Sequence, residues 1–116
     1  MDVSIVIVQR ERFSSITESL KSLFATIEND INVVVVEGAT PKNIRDELAI
    51  MQKKREFTLI SFDYFITPNE ARNIGLNIIN SEYVVFADND IWYQDNWLKY
   101  LYENARKNMC SYINPK

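Results

Sequence analysis

The triplet Asp88-Asn89-Asp90 places two carboxylates two residues apart, directly after the apolar run Tyr83-Val84-Val85-Phe86-Ala87. That run of β-branched and aromatic residues predicts a buried strand over 83–87. The carboxylates then stand at a strand's C-terminal end, and open α/β sheets bind ligands in the crevice beyond those ends. Acid-x-acid at that place offers oxygen ligands to a hard cation such as Mg²⁺ or Mn²⁺, which in turn holds a diphosphate. Aspartate and asparagine are also common in turns and caps, so the triplet by itself leaves a plain turn open. Ile91-Trp92-Tyr93 comes next as a bulky apolar lip.

Composition narrows the chemistry further. Histidine is absent, which excludes Ser-His-Asp and Cys-His catalysis and every imidazole metal site. Any metal must be held by oxygen. Cys110 is the single cysteine, so no internal disulfide forms, and it reads as a small buried hydrophobe rather than a nucleophile. A net charge of −3 with no basic run gives no footprint for nucleic acid or an anionic membrane. The N-terminus lacks a signal peptide's basic start, and no apolar run reaches membrane-spanning length, so the expectation is a cytoplasmic protein. With 47% hydrophobic residues, the 116-residue chain suffices for one domain with a core of its own.

The elements that must position the triplet are legible in order. Residues 3–8 form an apolar run broken only by Ser4, a strand buried on both faces. Ile16, Leu20, Leu23, Phe24 and Ile27 then make a helical stripe, with Ser15 and Glu18 at capping-box spacing. A second strand is expected over 31–36, leading to Glu37-Gly38-Ala39-Thr40. Thr40 before Pro41 reads as an N-cap, opening a helix to about Lys54 with Ile44, Leu48 and Met51 inward. A third strand covers 57–62. Thr67-Pro68-Asn69-Glu70 combines a capping box with proline in the first turn, starting a helix that buries Ala71, Ile74, Gly75 and Ile78 and ends near Asn80. A last helix over about 94–107 puts Trp97, Leu98, Leu101 and Ala105 on one side, and residues 109–113 begin a fifth strand. Strands alternating with helices predict an α/β fold with a mainly parallel sheet.

The VSIVIV strand, the amphipathic helix, the VVVVEG strand, the block PNEARNIGLNIINSEYVVFADND and a W-x5-Leu pair resemble a known family. Over residues 3–115 the chain is similar to the N-terminal, nucleotide-binding half of a family 2 glycosyltransferase of GT-A fold. The resemblance implies a Rossmann-like sheet with helices on both faces, strands in the order 3-2-1-4, and a nucleotide at the switch point between strands 1 and 4. It implies Asp90 as metal ligand, with Asp88 contacting the ribose or assisting the metal through water. Glu37 takes the place of the family's base-contacting acid, usually Asp, and Arg72 that of the arginine near base and diphosphate. The family's first strand commonly ends in Pro-Thr/Ser-Tyr-Asn, which borders the base. Here Val8-Gln9-Arg10-Glu11 stands instead, so Val8 and Gln9 fall beside the base; Arg10 either reaches a phosphate or is a solvated surface residue.

The resemblance further implies a nucleotide-diphosphate sugar as ligand, a UDP-sugar favoured, Mn²⁺ or Mg²⁺ as cofactor, and inverting glycosyl transfer. A divalent cation on the diphosphate would stabilise the leaving group, and one acidic triplet is enough protein ligation for that. In the family the catalytic base comes from a C-terminal acceptor half, which should begin where this sequence stops. Asp95 and Glu103 read as helix-start and surface residues, so no base is assigned. A non-catalytic interaction or nucleotide-binding module on the same fold is the alternative, with Trp92, Tyr93 and Tyr100 as its contact surface. A receiver-like signalling domain needs an acidic pair after the first strand, and Gln9-Arg10 does not supply one. An open fifth-strand edge predicts pairing, with a homodimer as the expected outcome.

Overall fold

The computed structural model of the chain describes residues 2–8 and 16–107, with the backbone of 112–113. Among the described residues, five strands and four helices succeed one another as β1 (Val3–Val8), α1 (Ile16–Thr26), β2 (Asn32–Gly38), α2 (Lys42–Lys54), β3 (Thr58–Phe62), α3 (Pro68–Leu76), β4 (Tyr83–Asp88), α4 (Trp97–Lys107) and β5 (Tyr112–Ile113). Every strand pairing is parallel and the spatial order is β3-β2-β1-β4-β5. The expected 3-2-1-4 order is present, and β5 extends the sheet beyond β4.

Alternation along the strands decides which helix each side chain meets. Ile5, Ile7, Val33, Val35 and Val85 form one core with Leu20, Leu23, Leu48 and Leu98 from α1, α2 and α4. Val6, Val8, Val34, Val36 and Val84 form a second core with Ala71 of α3 and Ile66. Burying each such Val, Ile or Leu contributes about 1.5–3 kcal/mol, so β1 and β2 are the fixed frame of the molecule. The exception in β1, Ser4, is buried but accepts from the Ser81 hydroxyl at 2.7 Å.

Two glycines let elements approach closely. A Cβ on Gly75 would lie 2.5 Å from Cγ1 of Val6, so α3 sits against β1 at a distance that only glycine allows. A Cβ on Gly38 would lie 2.3 Å from the Tyr64 carbonyl oxygen, so the β3–α3 loop crosses directly over the end of β2. The capping box of α3 is complete. The Thr67 hydroxyl accepts from the Glu70 N–H at 3.2 Å, and the Glu70 carboxylate accepts from the Thr67 N–H at 3.3 Å.

Several boundaries differ from expectation. Thr40 is not the cap of α2: Pro41 is, its carbonyl accepting from both Ile44 and Arg45, while the Thr40 hydroxyl is buried without a partner. Ala39, in a left-handed conformation with φ 58°, turns the chain one residue further before the helix can start. α3 ends at Leu76 rather than near Asn80. The Ile78 N–H bonds only three residues back, to the Gly75 carbonyl, and this tightened turn takes Ile78 off the apolar stripe and leaves it 46% exposed. α4 opens at Trp97 because Asn96 is left-handed, φ 64°, which breaks any helix begun at Gln94. Ser15 and Cys110 lie outside the described residues. Among those described, no helix is long and apolar enough to cross a membrane.

Candidate functional site

The C-terminal ends of the strands form one rim. Val8 at the end of β1 is in register with Val36 of β2 and with Asp88 of β4. Glu37 is the next residue of β2, so Glu37, Val8 and Asp88 stand on three adjacent strands, Glu37 and Asp88 two strand spacings apart, roughly 10 Å. This is the switch point, where the chain runs outward from β1 through β2 and β3, then returns to the other side of β1 to build β4 and β5.

By alternation Glu37 shares the face of Val33 and Val35, and Asp88 that of Val84 and Phe86. Glu37 is fully buried, and neither of its carboxylate oxygens has a hydrogen-bond partner. An unpaired buried polar group costs about 1–3 kcal/mol by mutational measures, so its presence needs a reason. Asp88 and Asp90 are half-buried, with Asp90 in the turn after β4. Arg72 lies in the second turn of α3, half-buried, on the face of the sheet that Asp88 shares. Among the described residues no group of three or more His, Cys, Asp or Glu converges on one point. The acidic turn itself carries the two carboxylates of Asp88 and Asp90, oxygen donors of the kind hard cations take when phosphate and water complete the shell.

The segment after Asp90 is held by α1. The Ser19 hydroxyl donates to the Ile91 carbonyl. Ser22 Oγ accepts from the Tyr93 N–H at 2.6 Å and donates to the Tyr93 carbonyl at 3.3 Å. Thr26 Oγ1 accepts from the Trp97 indole N–H at 2.9 Å. Ser19, Ser22 and Thr26 are spaced three and four apart, a hydroxyl row beside the apolar stripe of α1. In the sequence only the stripe stands out; the one visible signal of the row is its helical spacing. The Tyr93 ring packs on the core and against Trp97, with ring centroids 4.8 Å apart. Burial pushes the Tyr93 phenol above the ordinary tyrosine range, and the negative charge of Asp88, then of Asp90, pushes the same way.

Gln9 and Arg10 lie outside the described residues. Of the aromatics, Trp92 and Tyr100 are exposed, whereas Tyr93 is half-buried and packs against the core. A surface hollow of about 710 Å³ lies at the other end of the sheet, lined in part by Asp30, Asn32, Arg55 and Phe57. Arg55 is occupied there, donating to the carbonyls of Glu28, Ile31 and Glu56 and lying over the Phe24 ring. That hollow lies away from the acidic rim.

Residues 4–115 match the family model described as glycosyl transferase family 2. The succinoglycan biosynthesis protein ExoW of Rhizobium meliloti (strain 1021) is 36% identical over 84 residues, covering 69% of this chain and 26% of that protein. The chain thus spans about a quarter of the length of that relative. In fold it is similar to S. aureus TarS 1-349 in complex with UDP-GlcNAc, with a TM-score of 0.78, 21% identity and coverage of 94% of this chain and 32% of that one. It is also similar to the mannosyltransferase PcManGT from Pyrobaculum calidifontis in complex with GDP-Man and Mn²⁺, with a TM-score of 0.70, 21% identity, and coverage of 84% and 30%. Both likenesses establish a GT-A fold.

Proposed function

The chain belongs to glycosyltransferase family 2, and from that premise we propose that it binds a nucleotide-diphosphate sugar at the rim of Glu37, Val8 and Asp88. The observation that carries the proposal is the acidic turn at the end of β4, at the switch point and beside β1. Its two carboxylates suit Mn²⁺ or Mg²⁺ shared with a diphosphate. The structural relatives carry UDP-GlcNAc and GDP-Man with Mn²⁺, which supports the ligand class.

Asp90, free of the strand ladder, takes the metal; Asp88 orients the ribose or a metal-bound water. The cation supplies positive charge against the charge that gathers on a leaving nucleoside diphosphate. Arg72, on the α3 side of the rim, adds a second cation for the diphosphate. Glu37 faces the base from β2. Because its carboxylate is fully covered, base contact requires that cover to shift, and the ligand then supplies the donor that Glu37 lacks. Transfer with inversion needs a base on the acceptor hydroxyl as well. No described residue is assigned that role, so the reaction of the whole protein is part of the proposal.

A thermal melt with UDP, GDP and dTDP, each with and without Mn²⁺, tests this reading. Selective binding to the native state raises the melting temperature, so the expected result is a shift with one nucleotide only when metal is present. No shift with any pair favours the alternative of a module that kept the fold without the ligand.

A further inference from the structure

We infer that Ser22 is a positioning residue for the metal-binding carboxylates, holding the segment behind Asp90 through both peptide groups of Tyr93. The inference rests on the metal role proposed for Asp88 and Asp90. Residues 91–94 are neither helix nor strand, so no ladder satisfies their backbone groups. α1 does so instead, Ser22 serving the N–H and carbonyl of Tyr93 and Ser19 the carbonyl of Ile91. α1 itself is fixed, with Leu20 and Leu23 buried in the core. Asp90 therefore hangs between two anchors. On one side Asp88 is locked in register with Val8; on the other Ile91 and Tyr93 are tied to α1.

A divalent cation bound by two carboxylates needs both in a narrow range of geometry. Without the Ser22 hydroxyl, that anchor keeps the Ser19 bond, the packing of Tyr93 and, further along, the Thr26–Trp97 bond. Among the described residues nothing then holds the Tyr93 peptide groups themselves, and the turn carrying Asp90 samples positions that do not bind metal. Losing such an outer support costs roughly tenfold in metal affinity.

The experiment is a Mn²⁺ titration of the full chain in the presence of UDP, read by the paramagnetic resonance signal of free Mn²⁺. Wild type is compared with Ser22→Ala, Ser22→Cys and Ser22→Thr, well below each melting temperature. Ser22→Ala and Ser22→Cys are expected to bind Mn²⁺ roughly tenfold more weakly, while Ser22→Thr, which keeps a hydroxyl, stays near wild type. If Ser22→Ala does not fold, the contrast between the size-matched Cys and the hydroxyl-bearing Thr decides. Equal affinity in all folded variants overturns the positioning role and leaves the proposed function standing. Absence of Mn²⁺ uptake by wild type overturns the proposed function and this inference with it.

Discussion

Replacing Glu37 by methionine should make the protein more stable while removing its ligand. Glu37 is inaccessible to solvent and its two carboxylate oxygens have no hydrogen-bond partner. Such a group costs the folded state about 1–3 kcal/mol. Methionine has a similar length and volume and no strong polar atoms, so it fills the same space with little repacking. The expected gain is the whole of that cost, about 1–3 kcal/mol, less any local strain. For a chain of 116 residues, at about 4 °C per kcal/mol, the melting temperature rises by roughly 4–12 °C. Urea denaturation checks the sign and size. The midpoint should rise with the slope unchanged, since no additional surface is exposed on unfolding. Glu37→Gln, which keeps two buried polar atoms, should fall between the two. In a nucleotide titration, Glu37→Met should have lost the UDP-dependent shift. A methionine variant less stable than wild type would refute the reasoning, because it would mean that the carboxylate is satisfied in the native state.

Other consequences are more local. Thr67→Ala removes one half of the α3 capping box and should lower stability by about 1 kcal/mol, measured by urea denaturation. Gly38→Ala drives a methyl into the Tyr64 carbonyl and should cost about 1–3 kcal/mol, read from the thermal melt. Tyr93 holds its proton more tightly folded than unfolded. Its contribution to stability is therefore complete below the ordinary value of about 10 and is lost as pH rises from there toward the higher folded value. Tyr93→Phe should flatten that alkaline decline, seen by comparing urea midpoints at about pH 8 and about pH 11.

Parts of this molecule were legible because their code is local. Continuous apolar runs in β1 and β2 announced buried strands, and Thr67 to Glu70 announced a helix start that the hydrogen bonds confirm. The small residues Ala71 and Gly75 announced a helix lying close on the sheet, and Val6 meets Gly75 there. Other parts depend on distant partners. Thr40 had the right spacing for a cap, but the left-handed Ala39 moved the helix start to Pro41. Ile78 kept the helical period in sequence, yet the helix had already tightened and ended. The hydrogen bonds from Ser22 to Tyr93 join residues 71 positions apart, and no short-range pattern encodes them. At the site, the acidic turn and its place at a strand end were readable from residue types. The complete burial of Glu37 was not, because it arises from tertiary packing around the rim.

Metal-dependent nucleotide binding at the acidic turn is tested most directly by calorimetric titration of UDP into wild type and Asp90→Ala, each with Mn²⁺ and with a chelator. Saturable binding is expected for wild type only with Mn²⁺, and none for Asp90→Ala, whose melting temperature without ligand stays close to wild type. Nucleotide binding that survives both the chelator and Asp90→Ala would contradict a metal site at this turn.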